Sequence, residues 1–249
     1  MSKKLLQLAA LLLFCIIEQT CGTATLGTPE PADLNTYNYV AKLVKDSFIE
    51  QSSPIFVISK KYALSGTFIM EYTDTIDDYI ITSGNPSVPF TYTIAQINYL
   101  DFGLVTIKIC GKFTQDPMQL TPVLSYNFTT STTANLIYFE EDTLMELTAP
   151  VPSGCECEQD AVLQAAHDMD AAHEACIMKD STPGACSLIL DAAPTYVRGN
   201  AMVIGGVGVA FLDHDHCNNA TSNFNAGSTY VKIQPYYNDI LKSAIVDLP

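Results

Sequence analysis

Basic residues are few in this chain. Twelve lysines and arginines stand against 27 aspartates and glutamates, a formal net charge of −15 over 249 residues. Such a balance repels nucleic acid and anionic membrane surfaces, so neither is expected as a partner, while cationic and apolar partners remain open. Tryptophan is absent, and the four histidines all fall between His167 and His216. Beyond the N-terminal segment, no apolar run reaches the ~18 residues of a transmembrane helix. Local catalytic signatures are missing too: there is no HExxH, no GxSxG and no EF-hand spacing, and no Lys-Ser/Thr follows the glycines of "AMVIGGVGVAFL" at 201–212. Carboxylates are so numerous that no pair stands out as an acid and base. From these absences the chain is expected not to be an enzyme and to hold no cofactor.

The first residues, "MSKKLLQLAALLLFCII", place two lysines before a short apolar run, the pattern of a secretory signal, with a small-residue cleavage site at Gly22 to Ala24. Cleavage leaves residues 25–249 as a single secreted β-rich domain, expected to be extracellular. It also leaves Cys110, Cys155, Cys157, Cys176, Cys186 and Cys217, an even number. In an oxidising compartment they predict three disulfides, with the pairing undetermined. The sequons at Asn127 and Asn219 predict glycosylation on the same route.

Hydrophobic periodicity predicts a helix over 34–50, where Tyr37, Val40, Ala41, Val44 and Phe48 recur at helical spacing. Short β-rich runs follow: "IFVIS", "TFIMEY", "DYIIT", "FTYTIAQINYL", "LVTIKI", "VLSYNF", "NLIYF" and "LMEL", divided by turn clusters. The alanine-rich stretch 158–179 predicts a second helix, within a disulfide-stapled helical insertion at about 155–190. Residues 201–212 read as one buried strand with a glycine bulge, "STYVKIQ" as the last strand, and "PYYNDILKSAIVDL" as a C-terminal helix. The fold class is therefore mainly β with helices: an antiparallel meander closed into a barrel, or a sandwich.

"DHDHC" at 213–217 bears on metal chemistry. On a strand, His214 and His216 share a face, and a helix over 158–179 would bring His167, Asp170 and Glu174 onto one arc as further ligands for zinc or copper. The same residues also read without metal. His173 falls in the apolar stripe, the carboxylates form a solvated helix edge, and the strand ends in a glycosylated loop.

The segments "DLNTYNYVAKL", "SSPIFVISKKYAL" and "TANLIYFEEDTLMELTAPVPSGCECE" resemble, in their order of helix, first strand and late strand followed by cysteines, the divergent secreted lipocalins of blood-feeding arthropods. The Gly-x-Trp of the first lipocalin strand has no counterpart. The resemblance implies a barrel cavity for a small hydrophobic or cationic amine ligand, lined by aromatics such as Phe68, Tyr72, Tyr92, Tyr126, Phe128 and Tyr138. Two other readings stand beside it: an extracellular structural or interaction glycoprotein with a solid β core and an unknown protein partner, and, third, a metal-dependent extracellular enzyme.

Overall fold

In "VAKLVK" the alternation of a strand is hidden by lysines that are themselves buried. Ala41 and Leu43 point to one face, while Val40, Lys42 and Val44 point to the other. Lys42 places Nζ over the ring of Phe139, 5.9 Å from its centroid, and donates from it to the Glu141 carbonyl at 2.6 Å, with Asp142 Oδ1 at 3.2 Å. The segment is a strand, and the helix expected over 34–50 is replaced by a turn at 34–39 and two strands. Apolar residues at positions 37, 40, 41 and 44 fit a helical period and a strand buried on both faces equally well.

The computed structural model describes residues 27–45, 50–71, 73–85, 87, 89–120, 128, 132–159, 164, 167–178, 196–215 and 227–245. Residues 1–24, the sequon residues Asn127 and Asn219, and Tyr72, Tyr126, Cys186, His216 and Cys217 lie outside them. In chain order the strands are β1 (Glu30–Pro31), β2 (Val40–Lys45), β3 (Glu50–Val57), β4 (Tyr62–Gly66), β5 (Tyr79–Thr82), β6 (Thr91–Tyr92), β7 (Ile94–Tyr99) and β8 (Leu104–Ile109). They continue with β9 (Thr132–Glu140), β10 (Thr143–Val151), β11 (Glu174–Met178), β12 (Tyr196–Arg198), β13 (Asn200–Ile204), β14 (Val207–Asp215) and β15 (Gly227–Lys232). Helix α1 is Gly154–Gln159 and helix α2 is Tyr237–Ile245.

One sheet runs β6-β5-β2-β3-β4-β8-β7, with β12 joining β3 in parallel. Its edge strands β6 and β7 are separated in sequence only by Thr93, so the sheet has to curl round on itself. The Cys110 N–H donates to the Thr93 carbonyl at 2.8 Å across that closure. The other sheet runs β1-β10-β9-β13-β14-β15-β11. Mainly-β architecture with helices is as the sequence predicts, but neither strand order is that of a meander. Alternation shows that a segment is a strand; it does not name the partner.

Three packed cores fill the space. Leu43, Ile55, Ile81, Val105 and Ile107 close the interior of the first barrel. Leu136, Ala149, Ile177, Met202 and Ala210 close the second. Between the barrels, Phe56, Phe139, Phe211, Tyr236 and Ile240 form a third core that also seats α2. The expected C-terminal helix is thus present, and Ile240, wholly buried, holds it.

Other expectations are corrected. Residues 67–70 of "TFIMEY" form a turn closed by Met70 N–H to the Thr67 carbonyl at 2.7 Å. Residues 201–212 are a hairpin, β13 and β14, with Gly205 and Gly206 at φ 59° and 81° making the turn. The helix over 158–179 gives way to α1 before it and β11 at its end. β11 pairs with β15, sends Ala175 and Ile177 into the second core, and turns Cys176 outward to a disulfide with Cys157 of α1. Tertiary pairing overrides the helix preference of an alanine-rich run. Cys110 and Cys155 are exposed, unbridged thiols, so the full pairing expected for all six cysteines does not hold for these two.

At the far end of β2, Lys45 Nζ lies 2.8 Å from Asp74 Oδ2 and 3.2 Å from Glu71 Oε1, and the Tyr79 hydroxyl donates to Asp74. Burial pulls the Asp74 carboxyl upward, but the hydrogen bonds from Lys45, Tyr79 and the Glu71 N–H outweigh it and hold the group below the usual carboxylate range. A depressed folded-state pKa contributes stability above the unfolded value of about 4, and that contribution is lost as pH falls through the folded value. Lys45→Met leaves this carboxylate buried and unpaired, so a loss of about 3 kcal/mol is expected at pH 7. The deficit relative to wild type should shrink towards pH 3, as read by urea unfolding at a series of pH values.

Candidate functional site

β14 outruns β13. The ladder between them ends at the Ala201–Phe211 pair, whereas β15 continues to pair with β14 at Leu212, His214 and Asp215. Among the described ladders, residues 212–215 are therefore bonded to a strand on one side only. A bulge between Leu212 and His214 sets Asp213 out of register.

This edge lies at the seam between the barrels. A methyl group on Gly103 would stand 2.8 Å from Asp213 Oδ1 and 3.2 Å from Thr67 Oγ1, and Gly103 has φ +77°. Only glycine lets the β7–β8 loop approach Asp213 this closely. Phe68 packs against both barrel interiors. Thr67, Phe68, Gly103 and Asp213, all half-buried, come together where the two barrels meet.

Beside these residues stands an aromatic stack. Phe102, left-handed at φ 62° and 58% exposed, lies nearly parallel to the His173 ring at 4.9 Å, and Tyr236 is 5.3 Å from Phe102. His173 Nδ1 meets Asp170 Oδ2 at 2.7 Å, and His167 Nε2 meets Glu174 Oε1 at 2.8 Å. The Tyr236 hydroxyl is buried without a hydrogen-bond partner. Burial first, then the charges of Asp170, Glu174, Asp101 and Asp213, keep this phenol un-ionised far above its ordinary range. Lys232 is the nearby cation. Its ammonium donates to the Ala171 carbonyl at 2.5 Å over the Phe128 ring, and burial pulls its pKa down. The rim of the seam is acidic.

The residues singled out from sequence are dispersed. Tyr92 belongs to the first barrel's core, where its hydroxyl donates to Gln115 Oε1 at 2.8 Å. Phe128 belongs to the second core, and Tyr138 is buried on β9 on the same face as Leu136. Of the four that are described, Phe68 packs against both barrels. His167 and Asp170 are each engaged with a neighbouring residue in a connecting loop, not on a helix. His214 lies on β14 opposite Thr229. Among the described residues no three of His, Cys, Asp and Glu are grouped to hold a metal. Residues 167–173, which carry His167 and Asp170, are not helical, and Glu174 begins β11. Sequence reasoning missed Phe102, Gly103, Tyr236 and the edge of β14. The one local signal was Gly103, which sits immediately before a strand.

No family model and no curated protein matches the chain. Solved structures do. A scabies mite inactivated protease paralogue, S-D1, shares 11% identity at a TM-score of 0.64, over 88% of this chain and 97% of that one. The scabies mite inactivated protease paralogue S-I1 shares 10% at 0.63, over 88% and 100%. The Vibrio cholerae VesB protease shares 11% at 0.64, over 88% and 68%. The fold is thus that of chymotrypsin-like serine proteases.

This finding overturns the expectation that the chain is not an enzyme, for the fold it adopts is an enzyme fold. A serine-protease triad is assembled from separated segments and is recognised by geometry, so the missing local motifs excluded nothing.

Proposed function

We propose that the chain acts on polypeptides, taking an extended segment as an added strand along residues 212–215 of β14. One observation carries this reading: among the described ladders, residues 212–215 are paired on one side only, at the barrel seam of a fold shared with the VesB protease. Main-chain groups of a peptide supply affinity in strand addition, and pockets beside the edge supply selectivity. Phe68, Phe102 and the acidic rim are placed for that second role. The Cys157–Cys176 bridge supports an extracellular setting for the encounter. The small apolar or amine ligand expected inside a barrel finds both interiors occupied by packed side chains, which favours a surface reading over it.

The test is backbone-specific. Unstructured 12-residue peptides, screened by fluorescence anisotropy, should yield a saturable binder. N-methylation at alternate residues of that binder should weaken it at least tenfold, because each lost main-chain bond is worth about 0.5–1.5 kcal/mol. Equal binding of the methylated peptide, or no binder at all, overturns the reading. Mass spectrometry of the same mixtures reports whether a peptide bond is cut.

A further inference from the structure

Away from the seam, two abutting grooves of about 350 and 220 Å³ share Ser83 and Asn85. They are held open by a rigid frame. The Tyr92 hydroxyl donates to Gln115 Oε1 at 2.8 Å, and Gln115 Nε2 donates to the Ser83 carbonyl at 2.8 Å, tying the loop after β5 to the loop after β8. Such a frame makes the grooves pre-formed, which lowers the ordering cost of any ligand.

The polar atoms that face them are not all consumed by the protein. Asn85 uses its Oδ1 to accept from the Ser87 N–H, which leaves its Nδ2 donors free. Asn38 donates from Nδ2 to Asp116 at 3.4 Å, which leaves its carbonyl oxygen free. The Asp142 carboxylate spends one oxygen on Lys42 and presents the other. Phe90 is 50% exposed and stacks on Tyr92 at 5.8 Å, so one face of its ring is backed and the other open. Among the described residues, no lysine, arginine or histidine lines either groove.

We propose that this double groove binds a neutral oligosaccharide. Sugar hydroxyls both donate and accept, which matches free amide donors beside free carbonyl and carboxylate acceptors. The apolar C–H face of a pyranose matches an open aromatic ring. Phosphorylated or sulfated ligands would have to compete with Asp142 and Asp116 for Lys42 and Lys60, whose ammonium groups lie 3.2 and 3.8 Å from those carboxylates, in a chain of net charge −15. An apolar ligand would strand the groove's polar groups without partners. The site shares no residue with the seam, so it stands or falls independently of the polypeptide reading.

The experiment uses the full chain, trimmed of any glycans of its own. Mannopentaose, N-acetylchitotetraose and cellopentaose are titrated by calorimetry, with a sulfated chitotetraose as the anionic counterpart. A glycoprotein bearing a high-mannose glycan, with and without that glycan, separates a protein-linked source from a free one. At least one neutral probe should bind saturably, and the sulfated counterpart should not. Phe90→Ala should weaken the binding at least tenfold and Asn85→Ala about fivefold, with both melting temperatures unchanged because Phe90 and Asn85 lie at the surface. Failure of every neutral probe, or binding indifferent to Phe90→Ala, overturns the proposal.

Discussion

Gly208→Ala should destabilise the protein by about 3 kcal/mol or more, a fall in melting temperature of roughly 6–12 °C for a chain of this size. The added methyl carbon would stand 2.1 Å from one carbon of the Phe56 ring and 2.5 and 2.6 Å from two others. That ring cannot yield cheaply. It is wholly buried, edge-on to Tyr39 at 5.5 Å and tilted against Phe211 at 4.5 Å, in the core that joins the barrels. Backbone strain plays no part, because the clash alone sets the cost. The mechanism is checked by a double-mutant cycle: in a Phe56→Leu background, Gly208→Ala should cost much less, since leucine vacates the ring edge. An unchanged cost in that background would locate the damage elsewhere.

Cys157→Ala combined with Cys176→Ala should lower stability by about 3 kcal/mol, with a matching fall in denaturant midpoint. The bridge closes a loop across a sequence separation of 19, and both residues are fully buried. Its removal also frees α1 from β11, whose alanine-rich sequence has little strand preference of its own. Cys110→Ser and Cys155→Ser are the controls. Both thiols are exposed and unbridged, so these changes should leave the midpoint within about 0.5 kcal/mol. In the native wild type, maleimide should label Cys110 and Cys155 while Cys157 and Cys176 resist.

Particular residues show how far a sequence reading reaches. "LVTIKI" and "NLIYF" announce strands because a short run of β-branched and aromatic residues between turn clusters is a local signal, and both strands are present as β8 and β9. Val40 to Lys45 misleads because it is buried on both faces, and the periodicity of such a strand resembles that of a helix. Glu174 to Met178 misleads because its strand form depends on β15, some fifty residues later in the chain. The aromatics chosen as a ligand lining are divided between two cores, a division set by sheet curvature and not by composition. Nothing local indicates that Asp213 approaches Thr67 and Gly103, or that Phe102 stacks on His173.

By itself the sequence determined the acidic charge, the mainly-β composition, the C-terminal helix and most strands, because these follow from residue chemistry and local spacing. Only the tertiary structure decided that the strands form two filled barrels, that residues 212–215 of β14 are paired on one side only among the described ladders, and that the fold is one shared with serine proteases. Those features arise from long-range pairing, whose specificity lies in contacts between residues far apart in the chain.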